Sequence, residues 1–236
     1  MNLTPFVESL YRSEVRAGLG IAFIVFLLSH IPVLGWPLYP LTLFAVYVHE
    51  LWHGFAGILT GGVFKRFVIK PDGSGVAEVS GGVDLIIDSA GYVGAALTGG
   101  ILLVLASSSV STRLVLFLIG LILGMLCLLF VRNLFGIVAG LALALAFIIA
   151  SQRLHEFWLQ TLLWFLAVQL FLDTLTHLAQ VWNYASIPDL PTDAHNLSKR
   201  TGINPGIWLL FWLVLAVVIL LYALNRAYEV PLPWSM

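Results

Sequence analysis

The chain has 236 residues, of which 60% are hydrophobic and only 10% are charged, and its mean hydropathy is +1.00. These values exclude an ordinary soluble domain and predict an all-α polytopic membrane protein, with residues 1–236 forming one membrane-embedded domain. A net charge of −1 argues against nucleic-acid partners, and the single cysteine excludes an intrachain disulfide and a thiolate metal cage.

Apolar stretches bounded by charged or turn residues predict the transmembrane spans. The first two stretches are joined so tightly, through Gly35-Trp36-Pro37, that they could form one bent hairpin, so we expect six to seven transmembrane helices. The seven stretches are approximately 17–35, 38–60, 83–106, 113–131, 133–150, 157–180 and 207–225.

The second span contains His49-Glu50-Leu51-Trp52-His53, a His-Glu-x-x-His motif. On a helix, His49 and His53 lie one turn apart on the same face, so both imidazoles can bind one metal ion while Glu50 reaches a water molecule. This pattern is typical of zinc-dependent peptide hydrolysis, with Glu50 as the catalytic base and Zn²⁺ as the cofactor. The alternative is a pair of buried histidines bonded to backbone carbonyls beside a paired glutamate.

The segment between the second and third spans is the part of the chain with strand character. Two runs, 63–70 and 76–80, flank the turn Pro71-Asp72-Gly73-Ser74-Gly75, and this pattern predicts a β-hairpin at the membrane surface. The hairpin is either a solvated connector or an edge strand that pairs with an extended substrate segment.

The sixth span carries a second intramembrane acid, Asp173, four residues before His177. Counting along the two spans places Asp173 at a depth similar to that of the histidine pair. We therefore predict His49, His53 and Asp173 as the metal ligands, with His177 as a partner that supports them. The alternative role for Asp173 is a hydrogen bond to a neighbouring Thr or Tyr.

A polar stretch, 183–205, precedes the last span and contains Asp193. We expect a loop on the cytoplasmic side, long enough to fold back over the site, and Asp193 is the alternative third ligand. Asp84 and Asp88 open the third span, where Asp88 could line a polar cavity, and the small residues that follow favour close helix packing.

The distribution of positive charge predicts the orientation. Eight of the eleven Lys and Arg residues fall on the side of the N-terminus, which the positive-inside rule therefore places in the cytoplasm together with the opening of the site.

The chain resembles the site-2 protease family of membrane-embedded zinc metalloproteases, and particularly its small members without accessory domains. The resemblance depends on His49–His53, Thr60-Gly61-Gly62, the turn 71–75, the segment 89–94 and the tail 192–212. It implies a membrane-protein substrate, zinc bound by two histidines and a distant aspartate, and a glutamate that activates water. The family's aspartate commonly lies in Leu-Asp-Gly, whereas Leu172-Asp173 is followed here by Thr174.

Three other functions remain open from the residues. A non-proteolytic relative would keep the motif as an assembly or sorting factor. A membrane di-iron oxidase would need further histidine clusters, which the other four histidines do not form. A transporter would use Glu50, Asp88 and Asp173 as a proton or ion relay.

Overall fold

The computed structural model describes residue 20, residues 38–184, residues 192–230 and residue 232. We number the helices and strands of these residues in chain order. They are α1 Tyr39–Leu59, β1 Val63–Ile69, β2 Gly75–Ser80, α2 Asp84–Ser107, α3 Thr112–Phe130, α4 Leu134–Arg153, α5 Glu156–Tyr184, α6 Asp193–Thr201 and α7 Pro205–Tyr228.

The helices follow the predicted spans closely. Six of the seven predicted spans coincide with α1–α5 and α7 to within a few residues, and the first, 17–35, lies outside the described residues apart from Gly20. Among the described helices, α2–α5 and α7 are long and apolar enough to cross a membrane. Helix α1, with 21 residues and the two histidines and glutamate of the motif, is not in this group. The prediction of a helical, multi-span membrane protein with a short hairpin is confirmed.

The hairpin forms where the sequence predicts it. Strands β1 and β2 are antiparallel, from Val63 opposite Ser80 to Ile69 opposite Gly75. The side-chain carboxylate of Asp72 accepts hydrogen bonds from the backbone N–H and the hydroxyl of Ser74, which closes the turn.

Helix α1 lies at the centre of the described fold. Tyr47 is fully buried, its ring packs edge-on against Phe67 of β1 with centroids 5.9 Å apart, and its hydroxyl donates to the carbonyl of Gly136 in α4. On another side of α1, the Trp52 indole donates to the Thr98 hydroxyl of α2 at 2.9 Å. The hairpin, α2 and α4 thus hold α1 on several sides.

The stretch 183–205 contains a helix where we expected a loop. Thr192 caps α6 by accepting the backbone N–H of His195 at 3.3 Å, and Gly202, with φ 74°, ends the helix in the left-handed region. Ala194 and Leu197 are buried in a cluster that includes Trp212 of α7. Burial of this apolar face explains why the segment is helical.

Candidate metal centre

The two motif histidines face each other from successive turns of α1. Their ring centroids lie 4.7 Å apart and their Nε2 atoms 3.0 Å apart. Both side chains line a cavity of about 410 Å³ that lies between α1, α2, α5, α6 and the hairpin. The four-residue spacing of the motif therefore places both imidazoles on one face of α1, as expected.

A carboxylate from outside the long helices completes the group. Oδ2 of Asp193, the first residue of α6, lies 3.3 Å from Nε2 of His49 and 3.5 Å from Nε2 of His53. Among the described residues, these three side chains are the group of His, Cys, Asp and Glu whose donor atoms lie close enough together to bind one metal ion.

The spacing of the three donor atoms fits a tetrahedral metal ion. Atoms bound to one such ion at about 2.0–2.2 Å lie roughly 3.3–3.6 Å apart, which is close to the observed 3.0–3.5 Å. A tetrahedral ion held by these three donors would keep one position for water or substrate, as catalytic rather than structural sites do.

The ring of His53 is oriented by the backbone of α2. Its Nδ1 lies 2.6 Å from the carbonyl oxygen of Ile87, an acceptor, so we assign the proton to Nδ1. Nε2 then carries the free lone pair and points toward Asp193 and His49. A hydrogen bond of this kind is the usual support of a metal-binding histidine.

The close approach of α2 depends on Gly91. A Cβ atom at this position would lie 2.4 Å from Cε1 of His49 and 2.6 Å from Nε2 of His53, closer than real Cβ contacts allow. The next residue, Tyr92, presents its ring to His49 with centroids 4.7 Å apart. The small-residue stretch of the third span thus packs directly against the histidine pair.

The surroundings of Asp193 favour its ionised form. Burial alone would raise its pKa, but when His53 and His49 carry a proton on Nε2, their positive charge and hydrogen bonds hold the pKa well below its usual range. A metal cation in place of those protons would favour the same anionic carboxylate.

Glu50 lies beside the three donors and is almost completely buried, with 5% of its surface exposed. It lines the same cavity and packs against the start of β2, where a Cβ atom on Gly75 would come within 2.5 Å of Oε1. The carboxylate therefore lies between the histidine pair and the hairpin.

The structure brings Asp193, and not Asp173, to the histidines. Asp173 lines the same cavity but accepts a hydrogen bond from Gln169, one turn earlier on α5. Gln169 in turn lies 3.4 Å from Thr42, so Asp173 is level with the turn of α1 that precedes His49. Counting residues along the two spans gives depth only to within a few residues. Asp173 lies about one helical turn from the level of His49, and that difference is enough to keep it out of the histidine site.

Among the other residues that the sequence singles out, some line the cavity and one lies at the start of α6. His177 and Asp88 line the cavity. Nδ1 of His195 lies 2.8 Å from the Thr192 hydroxyl, where it supports the start of α6. The sequence offered Asp193 as the alternative third ligand, within the tail segment that resembles the family.

The comparison with known protein families agrees with the geometry. The Peptidase M50B-like family model matches residues 18–223, which is most of the chain and includes all three clustered residues and Glu50. No curated protein and no solved structure matches the chain significantly. On the strength of the family match and the clustered motif, this chain is a member of the Peptidase M50B-like family, within the site-2 protease group of membrane metalloproteases.

Proposed function

We propose that the protein is an intramembrane zinc metalloprotease that hydrolyses a peptide bond of a membrane-protein substrate. His49, His53 and Asp193 are the residues that would hold Zn²⁺, and Glu50 is the general base. The observation that carries the proposal is the convergence of two Nε2 atoms and one carboxylate oxygen within 3.5 Å, beside a buried glutamate.

The chemistry divides between the metal and the chain. Zinc at this position would supply a Lewis acid that lowers the pKa of water and polarises the scissile carbonyl. Glu50 takes the proton from the attacking water and returns it to the leaving amine. Its burial keeps bulk water away from the carboxylate and fixes it next to the site.

The hairpin offers one free edge to a substrate. The outer edge of β1 is occupied, because the backbone N–H of Arg132 donates to the carbonyl of Phe67, and the Asn133 amide bonds to both the N–H and the carbonyl of Ile69. Strand β2 has a partner on one side only within the two-stranded sheet. An extended substrate segment that joins the sheet as a third strand would therefore pair with β2.

The pairing pattern predicts which groups of β2 are free. Phe67 and Ile69 turn their backbone groups away from β2, so Ala77 and Gly75, which lie opposite them, turn theirs to the outer edge. The backbone N–H of Ala77 interacts there with the Glu50 carboxylate, so the groups left for a substrate strand are the carbonyl of Ala77 and the backbone groups of Gly75. Both residues line the cavity beside Glu50. A transmembrane helix must unwind before its peptide bonds can be attacked, and this edge would hold the unwound segment extended.

Charge distribution supports a cytoplasmic opening for the site. The hairpin contacts Arg132, and Arg200 of α6 forms an ion pair with Asp84, so these segments share one end of the molecule. Arg113 bonds to carbonyls of Ser151 and Leu154 at the other end. We propose that the end richer in Lys and Arg faces the cytoplasm.

The test is cleavage by the purified full chain, reconstituted in liposomes with a set of single-span transmembrane peptides and followed by mass spectrometry. Glu50→Gln is expected to slow cleavage about 10²–10⁴-fold while the protein keeps its zinc, because only the base is lost. Glu156→Gln, an exposed change at the start of α5, is the matched control.

Three results would contradict the proposal. Full activity of Glu50→Gln would remove the glutamate from the mechanism. Absence of cleavage by zinc-loaded protein, with ion flux across the liposome membrane, would favour the transporter; zinc binding with neither activity would favour an assembly factor.

A further inference from the structure

A second polar group lies on α5, where Asp173 lines the cavity and Gln169 lies behind it. Nε2 of Gln169 donates to Oδ1 of Asp173 at 2.9 Å, while Oδ2 of Asp173 and Oε1 of Gln169 are buried and have no hydrogen-bond partner in the described part of the chain. Gln169 is 2% exposed and is not among the residues that line the cavity. The residue that lines the cavity therefore carries one acceptor oxygen without a donor, Oδ2 of Asp173.

Within residues 38–184 and 192–230, neighbouring side chains do not supply the missing donors. The hydroxyl of Thr174 is directed to the carbonyl of Leu170 in its own helix at 2.8 Å. The second contact of Gln169 is from its Nε2 atom to the Thr42 hydroxyl, so Oε1 still has no donor. Unsatisfied buried acceptors are rare in folded proteins and are found where a ligand or water is expected.

We propose that Asp173, held from behind by Gln169, forms a subsite that binds a hydrogen-bond-donating side chain of the substrate, such as Lys, Asn or Ser. The inference depends on the proposed function, because the donor would come from the segment that is cleaved. Asp173, which the sequence suggests as a metal ligand, thus acts in substrate selection.

The position of the pair fits this role. The contact between Gln169 and Thr42 places Asp173 level with Ala45 and Val46 of α1, about one turn from His49. One helical turn is about 5.4 Å, which an extended chain covers in about two residues. The selected side chain would therefore lie about two residues from the scissile bond.

The subsite would discriminate strongly between polar and apolar side chains. A leucine placed against Oδ2 of Asp173 would cover it without providing a donor, and sites built around a hydrogen bond reject analogues that lack it. We expect a preference of tenfold or more for a donor over Leu at this position.

The experiment measures binding separately from cleavage. Fluorescent single-span peptides that differ at one position, carrying Lys, Asn or Leu, are titrated in bicelles against the full-length zinc-loaded Glu50→Gln protein. The position is moved over three residues on each side of the cleavage site. Wild-type Asp173 should favour Lys and Asn over Leu at one position, and Asp173→Leu should remove the preference.

Asp173→Asn serves as the near-isosteric second variant if Asp173→Leu does not fold. It should reduce the preference for Lys at least tenfold and retain that for Asn, since the amide oxygen still accepts. Glu156→Gln is the control on the same helix. Zinc content measured for each variant should stay unchanged.

The outcomes separate this inference from the proposed function. If the wild-type chain cleaves peptides but Asp173→Leu and Asp173→Asn keep the full preference for donors, the subsite is refuted and the protease stands. Loss of zinc in Asp173→Asn would also refute it, because Asp173 would then support the metal site. If no peptide is cleaved or bound, the proposed function itself fails.

Discussion

The helices that build the site differ from the α3–α4 pair in how much of their surface the protein covers. About half of the apolar stretch is buried in α2 and α5, at 56% and 50%, against 33% in both α3 and α4. Helices α2 and α5 line the cavity with polar side chains such as Asp88 and Asp173, whereas α3 and α4 pack on each other and expose large apolar side chains such as Leu128 and Leu134.

This difference indicates a division of labour within one membrane domain. The α3–α4 pair supports α1 through the hydrogen bond from the Tyr47 hydroxyl to the carbonyl of Gly136. Arg132 and Asn133, which connect α3 and α4, form hydrogen bonds with the outer edge of β1. The cavity side carries the chemistry. Damage to the first region should cost stability, and damage to the second should cost metal binding and activity.

The largest effect is expected from removal of the carboxylate at the histidine pair. Asp193→Ala leaves two protein donors, and because the loss of mere supporting partners already weakens metal sites about 10–100-fold, zinc affinity should fall by at least that factor. Zinc per protein molecule, measured by mass spectrometry after dialysis against a weak chelator, checks this. Asp173→Asn is the comparison variant, and equal zinc loss in both would contradict the assignment of Asp193.

A somewhat smaller effect is expected from Gly91→Val. Its side chain would begin 2.4 Å from the His49 ring, so α2 and the histidines must separate. We expect zinc affinity to fall about 10–100-fold, as it does when the support of a metal ligand is lost. Zinc titration of the purified variant measures it, and wild-type affinity in a folded Gly91→Val protein would show that the contact is dispensable.

The matching change in the other region is Gly120→Val between α3 and α4. A Cβ atom there lies 2.7 Å from the backbone oxygen of Ala144, which cannot move aside cheaply. Overpacking of this kind costs about 1–3 kcal/mol, while zinc content per folded molecule should stay normal. Thermal unfolding in detergent tests the first part. Gly124→Ala, 3.3 Å from the Ala144 side chain, should have a weaker effect.

The smallest effect is expected from Arg200→Gln at the mouth of the cavity. Arg200 pairs with Asp84, but both side chains are about half exposed, and ion pairs of this kind contribute only about 0–1 kcal/mol. Zinc affinity and cleavage should therefore change by less than about fivefold. A loss as large as that of Asp193→Ala would mean that this ion pair fixes the position of α6.

Much of the architecture could be predicted because the membrane imposes a strong local pattern. Helices that cross a bilayer need about 20 apolar residues, so α2–α5 and α7 are visible as separate stretches in the sequence. The turn 71–75 and its flanking strands were equally local, and so was the spacing of His49 and His53. Each of these features depends on residues that are close together in the chain.

The acid that joins the two histidines could not be identified from such local patterns. Both Asp173 and Asp193 follow the motif by more than a hundred residues, and composition offers no preference between a membrane acid and one on a short polar segment. The choice depends on the docking of α6, whose buried Ala194 and Leu197 pack against Tyr92 and Trp212. Only that packing turns Asp193 toward Nε2 of both histidines.

The sequence by itself determined the membrane class of the protein, its helices, the hairpin and the pair of histidines with their glutamate, since periodicity and hydropathy act over a few turns of chain. The tertiary structure alone decided which acid joins the pair, which edge of the hairpin stays open and what surrounds Asp173. These three outcomes require helices far apart in sequence to meet, and their relative rotation and depth are set by side-chain packing.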